Sequence, residues 1–116
     1  EKRLGNQPAS RLNLQQYLEG GVAIINPGVY TPEGNLSPQS EAAQIPDRSN
    51  LLLVEIPSYI QVLKGAAPDL ALAWRLQTRQ IFEALFSAGY LVTDFVYQPG
   101  PQPRSYYLLS YGESTF

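Results

Sequence analysis

Arg75, Thr78 and Arg79 are the residues whose types and spacing point most directly to chemistry. On a helix the two arginines form an i, i+4 pair with Thr78 in the same turn. Guanidinium groups so placed hold a carboxylate or phosphate through forked hydrogen bonds. The competing reading is a ladder of Arg75, Arg79 and Glu83 that merely solvates a strip of helix. Glu55 stands alone in the apolar run LLLVEI. Burial there would raise its pKa and suit it to general-base work; at a strand end its carboxylate would instead reach water. Tyr106 is the second catalytic candidate. It and Tyr107 are neighbours on a strand and so point to opposite faces, one into the core. The other, with Tyr97 and Tyr111, would line a pocket or a dimer seam. Asp94 reads as the exposed phase of an alternating strand, Trp74 as a core anchor facing the sheet, and Gln77 as a buried amide that must find a partner.

What is missing narrows the chemistry further. The 116-residue chain has no Cys and no His. Disulfides, zinc–thiolate sites and thiol nucleophiles are excluded, and so is a Ser–His–Asp arrangement. The commonest general base and metal ligand is absent, and no metal site is expected. A formal charge of −2 with scattered basic residues gives no reason to expect nucleic acid or an anionic membrane as partner. No run of about 18 apolar residues would span a bilayer and no signal-peptide pattern is present, so a cytoplasmic location is expected. Met is also absent and the sequence opens at Glu1, which leads to the expectation of a piece of a longer protein.

The elements that must position these residues read as follows. Residues 1–49 form a loop-rich segment holding a short helix over Arg11–Leu18, capped by Ser10 and stopped by Gly20–Gly21. A strand VAIIN ends at Pro27–Gly28, and a long proline-punctuated excursion runs from Val29 to Asn50. Residues 50–116 form the second unit. LLLVEI is a central strand covered on both faces. Ser58 caps a turn of helix, YIQVLK, closed by Gly65. Pro68 opens the main helix, which runs to about Ala88 and stops at Gly89. At about 3.6 residues per turn, Leu70, Ala73, Trp74, Ile81, Ala84, Leu85 and Ala88 share its sheet-facing side. Phe82 and Phe86 interleave with the arginines on the far side, and Leu72 and Leu76 flank Glu83. A helix apolar on several sides is covered on several sides, so a second copy of the chain or an upstream part of the same protein is expected there. Strands 91–97 and 105–111 are joined by the stiff connection QPGPQPR. The fold class is α+β, a mixed sheet with one long helix packed on it.

The runs LLLVEIP, PDLALAWRLQTRQIFEALFSAGYLVTDFVY and RSYYLLS carry a family resemblance over about residues 50–111. They resemble the C-terminal portion of uncharacterised bacterial predicted GNAT-superfamily acetyltransferases, the helix ALAWRLQTRQIF followed by AGY being the sharpest element. The resemblance implies the fifth strand, fourth helix and last two strands of that fold. It also implies an acyl-CoA-dependent N-acyltransferase with acetyl-CoA or another acyl-CoA as cofactor and a small-molecule amine as substrate. The family's Gly-rich CoA loop, roughly Q/R-x-x-G-x-G/A at a helix N-terminus, has no counterpart in this sequence. Leu85 occupies the position where many of its members carry a thiolate-protonating Tyr. The alternative expectation is a non-catalytic dimerisation or small-ligand-binding module on the same half-fold.

Overall fold

The run Leu51–Ile56 is the inner strand around which the rest of the molecule is arranged. The computed structural model describes residues 14–39 and 50–111. In chain order the elements are α1 (Leu14–Glu19), β1 (Ala23–Ile24), β2 (Val29–Tyr30), β3 (Leu36–Ser37), β4 (Leu51–Ile56), α2 (Ile60–Ala66), α3 (Pro68–Ser87), β5 (Tyr90–Gln98) and β6 (Arg104–Tyr111). This is an α+β fold. Its main sheet is mixed, in the order β1-β4-β6-β5, so the last strand is inserted between β4 and β5. β1 runs parallel to β4, with Ala23 opposite Leu52, while β6 is antiparallel to both its neighbours. Ile24, Ile25 and Leu36 each pack in an apolar cluster with residues of the second half of the chain. A bulge between Val92 and Asp94 breaks the β5–β6 register.

Each face of β4 is covered, as its continuous apolar run requires. Leu52, Val54 and Leu109 pack against Ile81 and Leu85 of α3, and Leu53, Tyr106 and Leu108 pack with Leu14 and Tyr17 of α1 on the other face. The stripe that α3 buries is Ala71, Trp74, Ile81 and Leu85. Ala84 and Ala88, expected on that stripe, are exposed. Trp74 is buried, yet it does not face the sheet: it packs with Leu36, Leu63 and Ala71. The cause is length. A 20-residue helix extends about 30 Å, against about 20 Å for a six-residue strand. Its C-terminal half lies on the sheet, and its N-terminal half overhangs onto β2–β3 and α2. Phe82, expected on the far side, is half-buried and meets Tyr107 edge-on at 5.8 Å between ring centres. Leu72 and Leu76 do face outward, each more than half exposed.

Other local expectations shift similarly. The excursion from Val29 contains a small antiparallel hairpin, with Tyr30 opposite Leu36; residues 40–49 lie outside the described residues. Ser58 does not cap α2, which starts from Tyr59 without a side-chain cap, and its hydroxyl instead meets that of Ser105 at 2.7 Å. Gly65 lies inside α2 and does not close it. The start of the first helix at Arg11 and its Ser10 cap fall outside the described residues. Gly89 behaves as expected: its φ of 103° is a conformation that L side chains adopt only with strain, and it turns the chain from α3 into β5.

Candidate functional site

The chemistry-bearing side chains divide into a buried clasp and an open groove. The clasp is centred on Glu55, which is fully buried. Its Oε1 accepts the Gly28 N–H at 2.7 Å, and both of its oxygens accept from Arg104 Nη1 at 3.1 Å. The same guanidinium donates to the Gly28 carbonyl and lies over the Tyr30 ring, 5.6 Å from its centre. Tyr30 in turn donates its hydroxyl to the Pro103 carbonyl, and the fully buried Tyr106 lies within electrostatic reach of Arg104 and Glu55. Asn26 completes the arrangement. Its Oδ1 accepts the Glu55 N–H at 2.7 Å and its Nδ2 donates to the Glu55 carbonyl at 2.9 Å. A side-chain amide thereby replaces strand backbone and extends the β1–β4 pairing beyond Ile24.

Burial pushes the Glu55 carboxyl above the ordinary carboxylate range, although the Gly28 N–H and Arg104 pull the other way. Burial likewise raises the Tyr106 phenol, Glu55 adds to that rise, and Arg104 opposes it. Arg104 itself is raised: burial alone would lower it, but Glu55 and the two phenols outweigh that effect. A raised carboxyl fits the general-base expectation. The geometry does not, because both carboxylate oxygens are engaged, the side chain has no solvent-facing side, and it lines neither cavity described below. Glu55 and Arg104 thus hold the Asn26–Tyr30 turn to β4 and β6, and Tyr106 is buried among Leu53 and Leu108. The expectation that Glu55 reaches water at a strand end is also overturned.

What lies over position 28 restricts it to glycine. A Cβ there would come within 2.8 and 2.9 Å of two Trp74 ring carbons and 3.1 Å of Leu36. Gly28→Ala is therefore expected to cost about 1–3 kcal/mol through overpacking. An unchanged urea midpoint would show that the Trp74 ring yields freely.

The groove lies between α2 and α3 and has a volume of about 500 Å³. Ile56, Ile60 and the buried Trp74 line it together with Lys64, Arg75 and Thr78. Of the predicted anion-binding residues, Arg75 and Thr78 thus face one space. Arg79 lies outside it and pairs with Glu83, Nε to Oε2 at 3.3 Å, both side chains well exposed. Thr78 donates its hydroxyl to the Trp74 carbonyl at 2.8 Å, the usual back-bond of a mid-helix threonine. That leaves Thr78 as an acceptor, and anion binding falls to Arg75 and Lys64. A second cavity of about 140 Å³ lies beside Tyr30, Ser58, Tyr59 and Pro103, and the Tyr59 and Tyr97 hydroxyls meet at 2.9 Å nearby. Gln77 is half-buried, not buried as expected, but finds partners, accepting from Asn26 and donating to the Gln39 carbonyl. Asp94 sits half-buried at the bulge, its Oδ1 accepting the Phe95 N–H.

Sequence reasoning missed Arg104, Asn26 and Lys64. A signal for Arg104 did exist: a carboxylate buried in an apolar strand needs a cation, and Arg104 is the one basic residue between Tyr90 and Tyr111. Asn26 and Lys64 carried no comparable mark. Among the described residues no cluster of acidic side chains could hold a metal ion, and no helix is long and apolar enough to cross a membrane. Compared with models of protein families, with curated proteins and with solved structures, the chain finds no match.

Proposed function

We propose that this chain is the C-terminal part of a GNAT-like acyl-CoA-dependent N-acyltransferase, in which an acceptor amine attacks the thioester directly within a ternary complex. The observation that carries this reading is the closing unit: an inner apolar strand, a 20-residue helix halted at Gly89, then two antiparallel strands. With the short α2 (Ile60–Ala66) set aside, that is the element order implied by the resemblance of residues 50–111. On this reading an upstream part grips the CoA pyrophosphate, this chain supplies the acceptor side, and the enzyme works in the cytoplasm. The outward leucines Leu72 and Leu76 would lie under that upstream part or under a second copy.

A second reading, a non-catalytic ligand-binding or dimerisation module, is favoured by Leu85. It is fully buried between helix and sheet, so its position offers no hydroxyl to protonate a leaving thiolate. Acetyl-CoA titrations separate the two. The protein extended upstream through its coding sequence is expected to bind acetyl-CoA saturably and to release free CoA when amines are added. Residues 1–116 alone are expected to give no saturable heat. An extended protein that binds no acetyl-CoA would overturn the enzyme reading, and tight binding by residues 1–116 would overturn the upstream placement of the clamp.

A further inference from the structure

We infer that the groove between α2 and α3 binds a small organic anion, an apolar body carrying one carboxylate or phosphate head held between Lys64 and Arg75. In the acyltransferase reading, on which this role alone rests, that anion is the acceptor amine.

Three observations converge on this ligand. The volume of about 500 Å³ falls within the roughly 300–1,000 Å³ typical of small-molecule pockets. The interior is apolar, from Ile56, Ile60 and Trp74, and no acidic residue lines it. Its two cations stand on different walls, Lys64 in the last turn of α2 and Arg75 on α3. Among the described residues neither has a carboxylate partner, whereas Arg79 is already paired with Glu83 and Arg104 with Glu55. Lys64 at a helix C-terminus also has a local structural use. Arg75, in the middle of α3, has none. An exposed guanidinium beside an apolar hollow is suited to the head of an anion whose body fills that hollow.

The chain contains one tryptophan, and it lines the groove, so its fluorescence reports occupancy directly. The probes are 3-phenylpropanoate and phenyl phosphate, with uncharged 3-phenylpropanamide as the control. At least one anion is expected to saturate the Trp74 signal at sub-millimolar to millimolar concentration, and the amide to bind at least ~10-fold more weakly. Whichever anion binds more tightly identifies the head group, and either result supports the site. Lys64→Ala and Arg75→Ala should each weaken binding ~5–10-fold, while Arg79→Ala leaves it unchanged. Both groove cations are exposed, so these variants are expected to fold normally, with circular dichroism as the check. Equal binding of amide and anions, no saturation by either anion, or an unaffected Arg75→Ala would overturn the inference. Saturable anion binding in a protein whose extended form turns over no acyl-CoA leaves the groove standing and removes only the acceptor role.

Discussion

Glu55→Ala is expected to lower the unfolding free energy by about 3–5 kcal/mol, the cost of removing one partner from a buried ion pair. That is a large share of the about 5–15 kcal/mol that holds an ordinary domain together. The loss comes from what is left behind. Arg104 keeps a partly buried guanidinium without its counter-ion, and the Gly28 N–H loses its acceptor. Glu55→Gln should cost less, because the amide retains the volume and one acceptor oxygen. It should also change the pH profile. Since burial raises the Glu55 carboxyl, the folded state holds a proton at pH values where the unfolded chain has released it. The associated stability is fully present below the ordinary glutamate range and declines as pH rises through the raised value. Urea midpoints measured from acid to neutral pH should show that decline in the native chain and a flatter profile in Glu55→Gln. An unchanged slope would assign the titration to another group, and an Ala variant as stable as the parent would dissolve the clasp.

Trp74→Ala is expected to cost about 3–5 kcal/mol, in the range for truncating a buried large aromatic. The indole is fully buried, donates to the Leu36 carbonyl at 2.8 Å and covers Gly28. Its removal empties the cluster that joins the β2–β3 hairpin to α2 and α3. Trp74→Phe keeps an aromatic ring but leaves the Leu36 carbonyl without its donor, so about 1–2 kcal/mol is expected there. Far-UV circular dichroism in urea reads both variants without relying on the lost fluorophore. A neutral Trp74→Ala would mean that the hairpin does not rest on this helix.

How far the sequence could be read depended on the range of the interaction involved. Leu51–Ile56 was legible as a two-sided strand because a short, nearly continuous apolar run ended by Pro57 has the length and pattern of a strand covered on both faces. The main helix was legible from Pro68 to Gly89 because both ends carry their own stop and start chemistry. The orientation of Trp74 was not. The periodicity put it on the same stripe as Ile81 and Leu85, and only the overhang of α3 beyond the sheet decided that it would meet Leu36 instead. The same holds for the predicted anion site. Spacing along the helix grouped Arg75 with Arg79, but the packing of α2 against α3 put Lys64 and Arg75 on the walls of one groove and left Arg79 with Glu83.

By itself the amino-acid sequence determined the strand–helix–helix–strand–strand order of residues 51–111, the ends of α3, and the chemistry excluded by the absence of Cys and His. These properties follow from local propensity and side-chain type, which need no distant partner. The tertiary structure decided which side chains meet. Glu55 meets Arg104 because β6 inserts beside β4, and it meets Gly28 because Asn26 carries the β1–β4 pairing one step further with its side chain. Those contacts span 27 and 49 residues of chain. Nothing in the local sequence around Glu55 distinguishes a carboxylate that will be clasped from one that will reach water, because the difference lies entirely in what the fold brings to it.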